Sequence, residues 1–168
     1  MRETRLKRKL TFSLLFLVST LGGGACNLSS HPTDHQLEER LRSNQSDFDR
    51  LVVMLSEDNE IVRLDDKFVF FTEGANREVP EERLRAYRDL FAKLRLERGF
   101  HRDKDNALRF IASARDVGAS SEKSYIYSTT PPAPLVDSLD HVIERDQGDQ
   151  KPVYKKLHNG WYLYYASW

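Results

Sequence analysis

The chain has only one cysteine, Cys26, and so cannot form an intramolecular disulfide. It also lacks a long apolar stretch. The longest, Leu10–Leu21, falls short of the roughly 18 residues that a membrane-spanning helix needs. No internal repeat, long linker or low-complexity segment divides it, and no catalytic or cofactor motif stands out. Neither sign of charge is in excess, with 26 basic against 26 acidic residues.

The charges that are present are unevenly placed. Arg2, Arg5, Lys7, Arg8 and Lys9 face a single acid, Glu3, at the start. The apolar run follows, and then Gly22, Gly23, Gly24, Ala25 and Cys26. A cationic start, a short apolar stretch and small residues at its end make a secretory signal peptide, expected over residues 1–25. The cations stay on the cytoplasmic side while the apolar run enters the membrane. Removing this segment leaves 21 bases against 25 acids, a net charge of −4. A mildly acidic domain is unsuited to nucleic acid, whose binding is dominated by cationic contacts to phosphate.

The Gly23-Gly24-Ala25-Cys26 junction resembles the lipobox of bacterial lipoprotein precursors. Ala25 and Cys26 match that pattern; Gly23 departs from it, since the family favours an aliphatic residue there. The resemblance covers the signal segment alone. It implies lipid attachment at Cys26, with fatty acyl chains such as palmitate, and a partner that is the membrane itself. It also gives the lone thiol a purpose, because an unpaired reactive thiol is a liability in an oxidising compartment. Asn27 follows the cysteine and is not the Asp associated with inner-membrane retention, so outer-membrane placement facing the periplasm is expected in a Gram-negative cell.

Residues 26–33 read as a short polar tether and 34–168 as a single α+β domain, with two main helices packed on a largely antiparallel sheet. Thr33 and Gln36 form a capping-box pattern, and Leu37, Leu41, Phe48, Leu51, Val52 and Leu55 follow at helical spacing, which predicts a helix over 34–57 interrupted by polar Asn44. Ile61–Leu64 and Lys67–Phe71 are β-rich and predict one bent strand or a tight hairpin. Pro80, Glu81 and Glu82 open a second helix, with Leu84, Tyr87, Phe91 and Leu94 inward and Gly99 as its left-handed cap. Strands are expected at 108–113, 123–128, 153–157 and 161–165, and a short helix at 135–143. Asn159-Gly160 is a hairpin signal, since a type I′ turn needs φ > 0 at both central residues.

Several groupings resemble sites. Asp137, Asp140 and His141, with Ser138 and Glu144, are the residue types of acid–base chemistry, but Ser138 lacks a nucleophile-elbow context. The segment from His101 to Asn106 is rich in metal-ligand types, yet Leu108 and Ala114 stand where a calcium loop needs its glycine and its bidentate glutamate. His31 and His35 have zinc-like spacing but are separated by Pro32. Arg95, Arg98 and Arg102 could form a basic strip, interleaved with Glu97 and Asp103. The aromatic hairpin is the most suggestive of binding. Trp161, Tyr162, Tyr164 and Trp168 are the candidate patch, for an envelope protein or the sugar rings of a cell-wall glycan.

The sequence therefore predicts an exported, lipid-anchored cell-envelope protein acting as a non-catalytic binding or interaction module. The alternative is a small envelope hydrolase using Asp137, Asp140 and His141. No cofactor and no metal is expected.

Overall fold

A computed structural model describes residues 31–75, 78–116 and 120–168. The expected signal peptide, Cys26, the first part of the tether and the Gly118 loop lie outside the described residues.

The fold is α+β, and its elements follow from local chemistry. Thr33 Oγ1 accepts from Gln36 N at 3.2 Å while Gln36 Oε1 accepts from Thr33 N at 2.9 Å, a reciprocal capping box that starts α1 (Asp34–Ser43). The single helix expected over 34–57 is in fact two. Asn44 leaves the helical region (φ −128, ψ 26), and its Nδ2 donates to Arg40 O, so a side chain competes with the backbone ladder before α2 (Gln45–Glu57) begins. Ile61–Leu64 (β1) and Val69–Phe71 (β2) form a hairpin, turned by Asp65, whose Oδ1 accepts from Lys67 N and Phe68 N.

Helix α3 (Glu81–Leu94) ends differently from expectation. Its left-handed residue is Arg95 (φ 54), with Leu96 N donating to Phe91 O and Arg95 N to Ala92 O in a Schellman closure. Gly99 does have positive φ (62), but for another reason: a Cβ there would lie 2.2 Å from Leu64 O. Then come β3 (Phe100–Arg102), β4 (Leu108–Arg115), β5 (Ser121–Tyr127), α4 (Leu139–Ile143), β6 (Val153–Lys156) and β7 (Trp161–Ser167). The last two are joined at Asn159 and Gly160, with φ of 48 and 81 as the type I′ signal requires.

The strands form one antiparallel sheet in the order β2-β1-β3-β4-β5-β7-β6. Side chains alternate between its faces. Leu64, Phe100, Phe110, Tyr125, Trp161, Leu163 and Tyr165 point to one face, where they join the buried residues of all four helices in a single core. Phe48 of α2 is central, with edge-to-face contacts to Tyr125 at 4.8 Å and Trp161 at 5.3 Å. The opposite face carries a smaller cluster of Ala107, Ile126, Tyr162, Tyr164 and Ala166, to which no helix contributes among the described residues.

Candidate functional site

His31, three residues before α1, is held against the sheet in a defined way. An irregularity in the β4–β5 register between Ile111 and Ser113 brings Ser113 opposite Lys123, on the helix-bearing face beside Ser121. His31 sits between the two serines. Its Nδ1 lies 2.6 Å from Ser113 Oγ and its Nε2 2.9 Å from Ser121 Oγ, and its ring meets Tyr165 edge-on at 5.6 Å. A neutral imidazole has one donor and one acceptor nitrogen, and rotatable hydroxyls can complement both. Burial, with the Arg115 and Lys123 charges, pushes the His31 pKa down to about 4, so the ring is neutral at pH 7.

One layer deeper lies a buried ionic cluster. The Lys123 side chain is fully buried; its Nζ lies 2.7 Å from Asp34 Oδ1 and donates to Asp140 Oδ1 at 2.6 Å. The two carboxylates also cap each other's helices. Asp34 Oδ2 accepts from Leu139 N, the first amide of α4, and Asp140 accepts from Asp34 N, the first amide of α1. Lys155 adds a second cation, 3.4 Å from Asp34 Oδ2 and 2.5 Å from Glu38 Oε1. Burial alone would raise the Asp34 pKa, but Lys123, the Leu139 amide and Lys155 outweigh it and hold the carboxyl below its ordinary value.

This cluster bears directly on the hydrolase alternative. Asp140 is turned inward onto Lys123 and the α1 amide, whereas Asp137 and His141 are exposed. The three residues do not converge on a common pocket. Ser138 caps α4, accepting from His141 N.

The aromatic hairpin also departs from the expected patch. Trp161, Tyr162 and Tyr164 are buried, and of the four only Trp168 is exposed, at 64%. Strand alternation explains the split: Trp161 enters the main core against Phe48, Phe110 and Tyr127, while Tyr162 and Tyr164 enter the second-face cluster. There Tyr164 lies under the Arg109 guanidinium at 5.0 Å and beside Tyr154. These aromatics hold the sheet together and do not form a contiguous exposed surface.

Other groupings resolve into structural roles. The basic strip is dispersed: Arg95 is a helix cap, Arg98 pairs with Asp116, and Arg102 donates to Ile61 O and Leu55 O. In the segment from His101 to Asn106, Asp103 accepts from Arg109 at 2.8 Å. No group of three His, Cys, Asp or Glu residues among the described residues could hold a metal ion. No helix among them is long and apolar enough to cross a membrane. A cleft of about 350 Å³ between α1 and β6 is lined by Glu38, Glu39, Arg42 and Lys155, charges that already pair with one another.

The two edges of the sheet differ. Beside β6, Tyr154 N donates to Pro134 O and Val136 N donates to Tyr154 O, so the segment through Leu135 covers that edge. Beside β2 no further strand pairs among the described residues. Phe70 projects from β2 with 56% of its surface exposed, against Phe68, whose ring lies under Arg63.

No family model, curated protein or solved structure matches the chain.

Proposed function

We propose that this is a lipid-anchored cell-envelope protein, exported, cleaved before Cys26 and acting as a non-catalytic binding module. In this reading its binding surface is the open β2 edge, and its partner is an extended segment of another envelope protein that adds as a further strand. The observation that carries the reading is the contrast between the edges: one is covered by its own chain, and the other has no further strand beside it among the described residues and carries an exposed phenylalanine. An open apolar edge is a ready template for strand addition, with main-chain hydrogen bonds giving affinity and side-chain pockets specificity. Phe70 would anchor such a strand, since aromatic residues dominate interface energetics.

Two experiments test the reading. A photo-reactive amino acid in place of Phe70, with a matched one at exposed Val53 on α2, is irradiated in cells that produce the protein. A discrete adduct with one heterologous protein at position 70 and none at 53 supports it. No adduct at 70, equal adducts at both, or an adduct with a second copy of this chain would overturn it. For the anchor, Cys26→Ser should abolish fatty-acid labelling and release the protein from membranes. Unchanged labelling and fractionation would refute attachment at Cys26.

A further inference from the structure

The tether does not simply connect the anchor to the domain; its docking fixes which end of the domain faces the lipid. His31 is held by Ser113 and Ser121, so only residues 27–30 separate Cys26 from a rigid part of the fold. Fully extended, the span from Cys26 to His31 reaches at most about 18 Å. A lipidated Cys26 sits at the bilayer surface, so the strand ends beside His31 must lie within that distance of it.

Trp168 lies at the same strand ends. Ser121 pairs with Ser167 across the β5–β7 ladder, and the ladder extends one step further, with Ser120 N donating to Trp168 O at 2.9 Å and Trp168 N to Ser120 O at 2.8 Å. The backbone beneath Trp168 is held from its other side as well, where Ser167 N donates to Gln150 O and Gln150 N donates to Ser167 Oγ. Trp168 is thus an exposed indole on a fixed backbone, one residue beyond the pair that meets the tether. On the β4 side of this end Arg98 pairs with Asp116 and Arg115 with Glu97. On the other side, the segment that meets β7 through Gln150 holds Asp146 and Asp149 with one cation, Lys151, so the surface that suits this end is zwitterionic and not anionic.

We propose that this end of the sheet rests on the bilayer and that Trp168 inserts into its headgroup region. Indole rings favour that depth because the ring is apolar while the N–H keeps a polar partner. The proposal builds on lipid attachment at Cys26, but it can be tested without the cell's lipidation machinery. The processed chain is coupled through its one thiol to a maleimide-headgroup lipid in phosphatidylcholine vesicles. Emission of Trp168, taken as the difference between the unchanged protein and Trp168→Phe, is followed with lipids brominated close to the headgroup. A blue shift and loss of most of that emission on coupling are expected. A Phe70→Trp, Trp168→Phe protein reports from the far sheet edge and should remain unquenched. Trp168 emission unaltered by coupling, or equal quenching at both positions, overturns the proposal. Far-UV circular dichroism of each variant establishes that its fold is retained. Failure here leaves Cys26 labelling in cells unaffected, whereas failure of that labelling removes the anchor on which the orientation depends.

Discussion

Replacing Lys123 with Met removes the cation from between two carboxylates while keeping an unbranched side chain of similar length in the core. The effect depends on how far water can reach each acid left behind. Asp34 is 5% exposed, so its charge would remain buried, with only Lys155 at 3.4 Å to offset it. Asp140 is 34% exposed and can be solvated. Removing one partner of a buried pair costs about 3–5 kcal/mol, and with one acid of the two truly stranded the lower end, about 3 kcal/mol, is expected. For a domain of this size that is a fall in melting temperature of about 10 °C. Urea unfolding followed by the emission of core Trp161 measures it. The companion protein carries Asp34→Asn and Asp140→Asn as well as Lys123→Met. Each Asn oxygen can still accept the helix amide that its Asp accepts, so no charge is stranded and most of the loss should be recovered. A cost below about 1 kcal/mol for Lys123→Met would refute the account, since breaking a buried pair should cost several times that. A triple variant no more stable than the single one would refute it equally.

Two further outcomes follow from named positions. Gly99→Ala should be clearly more destabilising than Gly74→Ala. Both glycines have positive φ, which costs a non-glycine residue about 1–2 kcal/mol. Only at Gly99 would the added Cβ also meet backbone, Leu64 O at 2.2 Å, whereas nothing lies within 4 Å at Gly74; thermal melts of the two variants compare them. The second outcome concerns pH. His31 has its pKa depressed from 6.5 to about 4 in the fold, so the unfolded chain binds its proton first and stability falls as pH drops through that window. Urea midpoints between pH 7 and pH 4 should decline, and His31→Gln should flatten the decline.

The elements that sequence patterning reveals are those whose signals are local. The capping box at Thr33, the turn at Asn159-Gly160 and the apolar stripe of α3 each follow from chemistry within a few residues, and each forms as read. The break at Asn44 was visible only as a polar interruption, because whether a helix continues past Asn depends on packing that fixes the direction of α2. The cap of α3 was misplaced because Arg95 adopts the conformation expected of glycine, stabilised by the contacts of Leu96. β3 was hidden beneath charged neighbours. The aromatic patch failed for a reason that alternation alone could not reveal: both faces of β7 are buried. The Lys123 cluster left one trace, a lysine in register with Tyr125 and Tyr127 on an inward face. Its acids come from the distant Asp34 and Asp140, and no pattern within the strand could name them.

The role given to His31 can be separated from its contribution to stability. If the histidine sets the distance between anchor and domain, then His31→Ala should lengthen the free tether without rearranging the sheet. The next fixed point along the chain is the capping box at Thr33, which holds the start of α1. The extended span from Cys26 to Thr33 is at most about 25 Å, against about 18 Å with His31 docked. That added reach lets the domain tilt and lift, so Trp168 should lose much of its quenching by headgroup-brominated lipid when the variant is coupled through Cys26. The variant also leaves the Ser113 and Ser121 hydroxyls without their partner, at a cost of about 1–3 kcal/mol, which unfolding measures separately. A His31→Ala protein that is less stable yet fully quenched would show that His31 supports the fold but does not hold the domain to the membrane. Lengthening the tether another way distinguishes the two effects: residues inserted between Asn27 and Ser30 leave His31 docked and its bonds intact. They should reduce Trp168 quenching with no change in stability, because reach is then the only property altered.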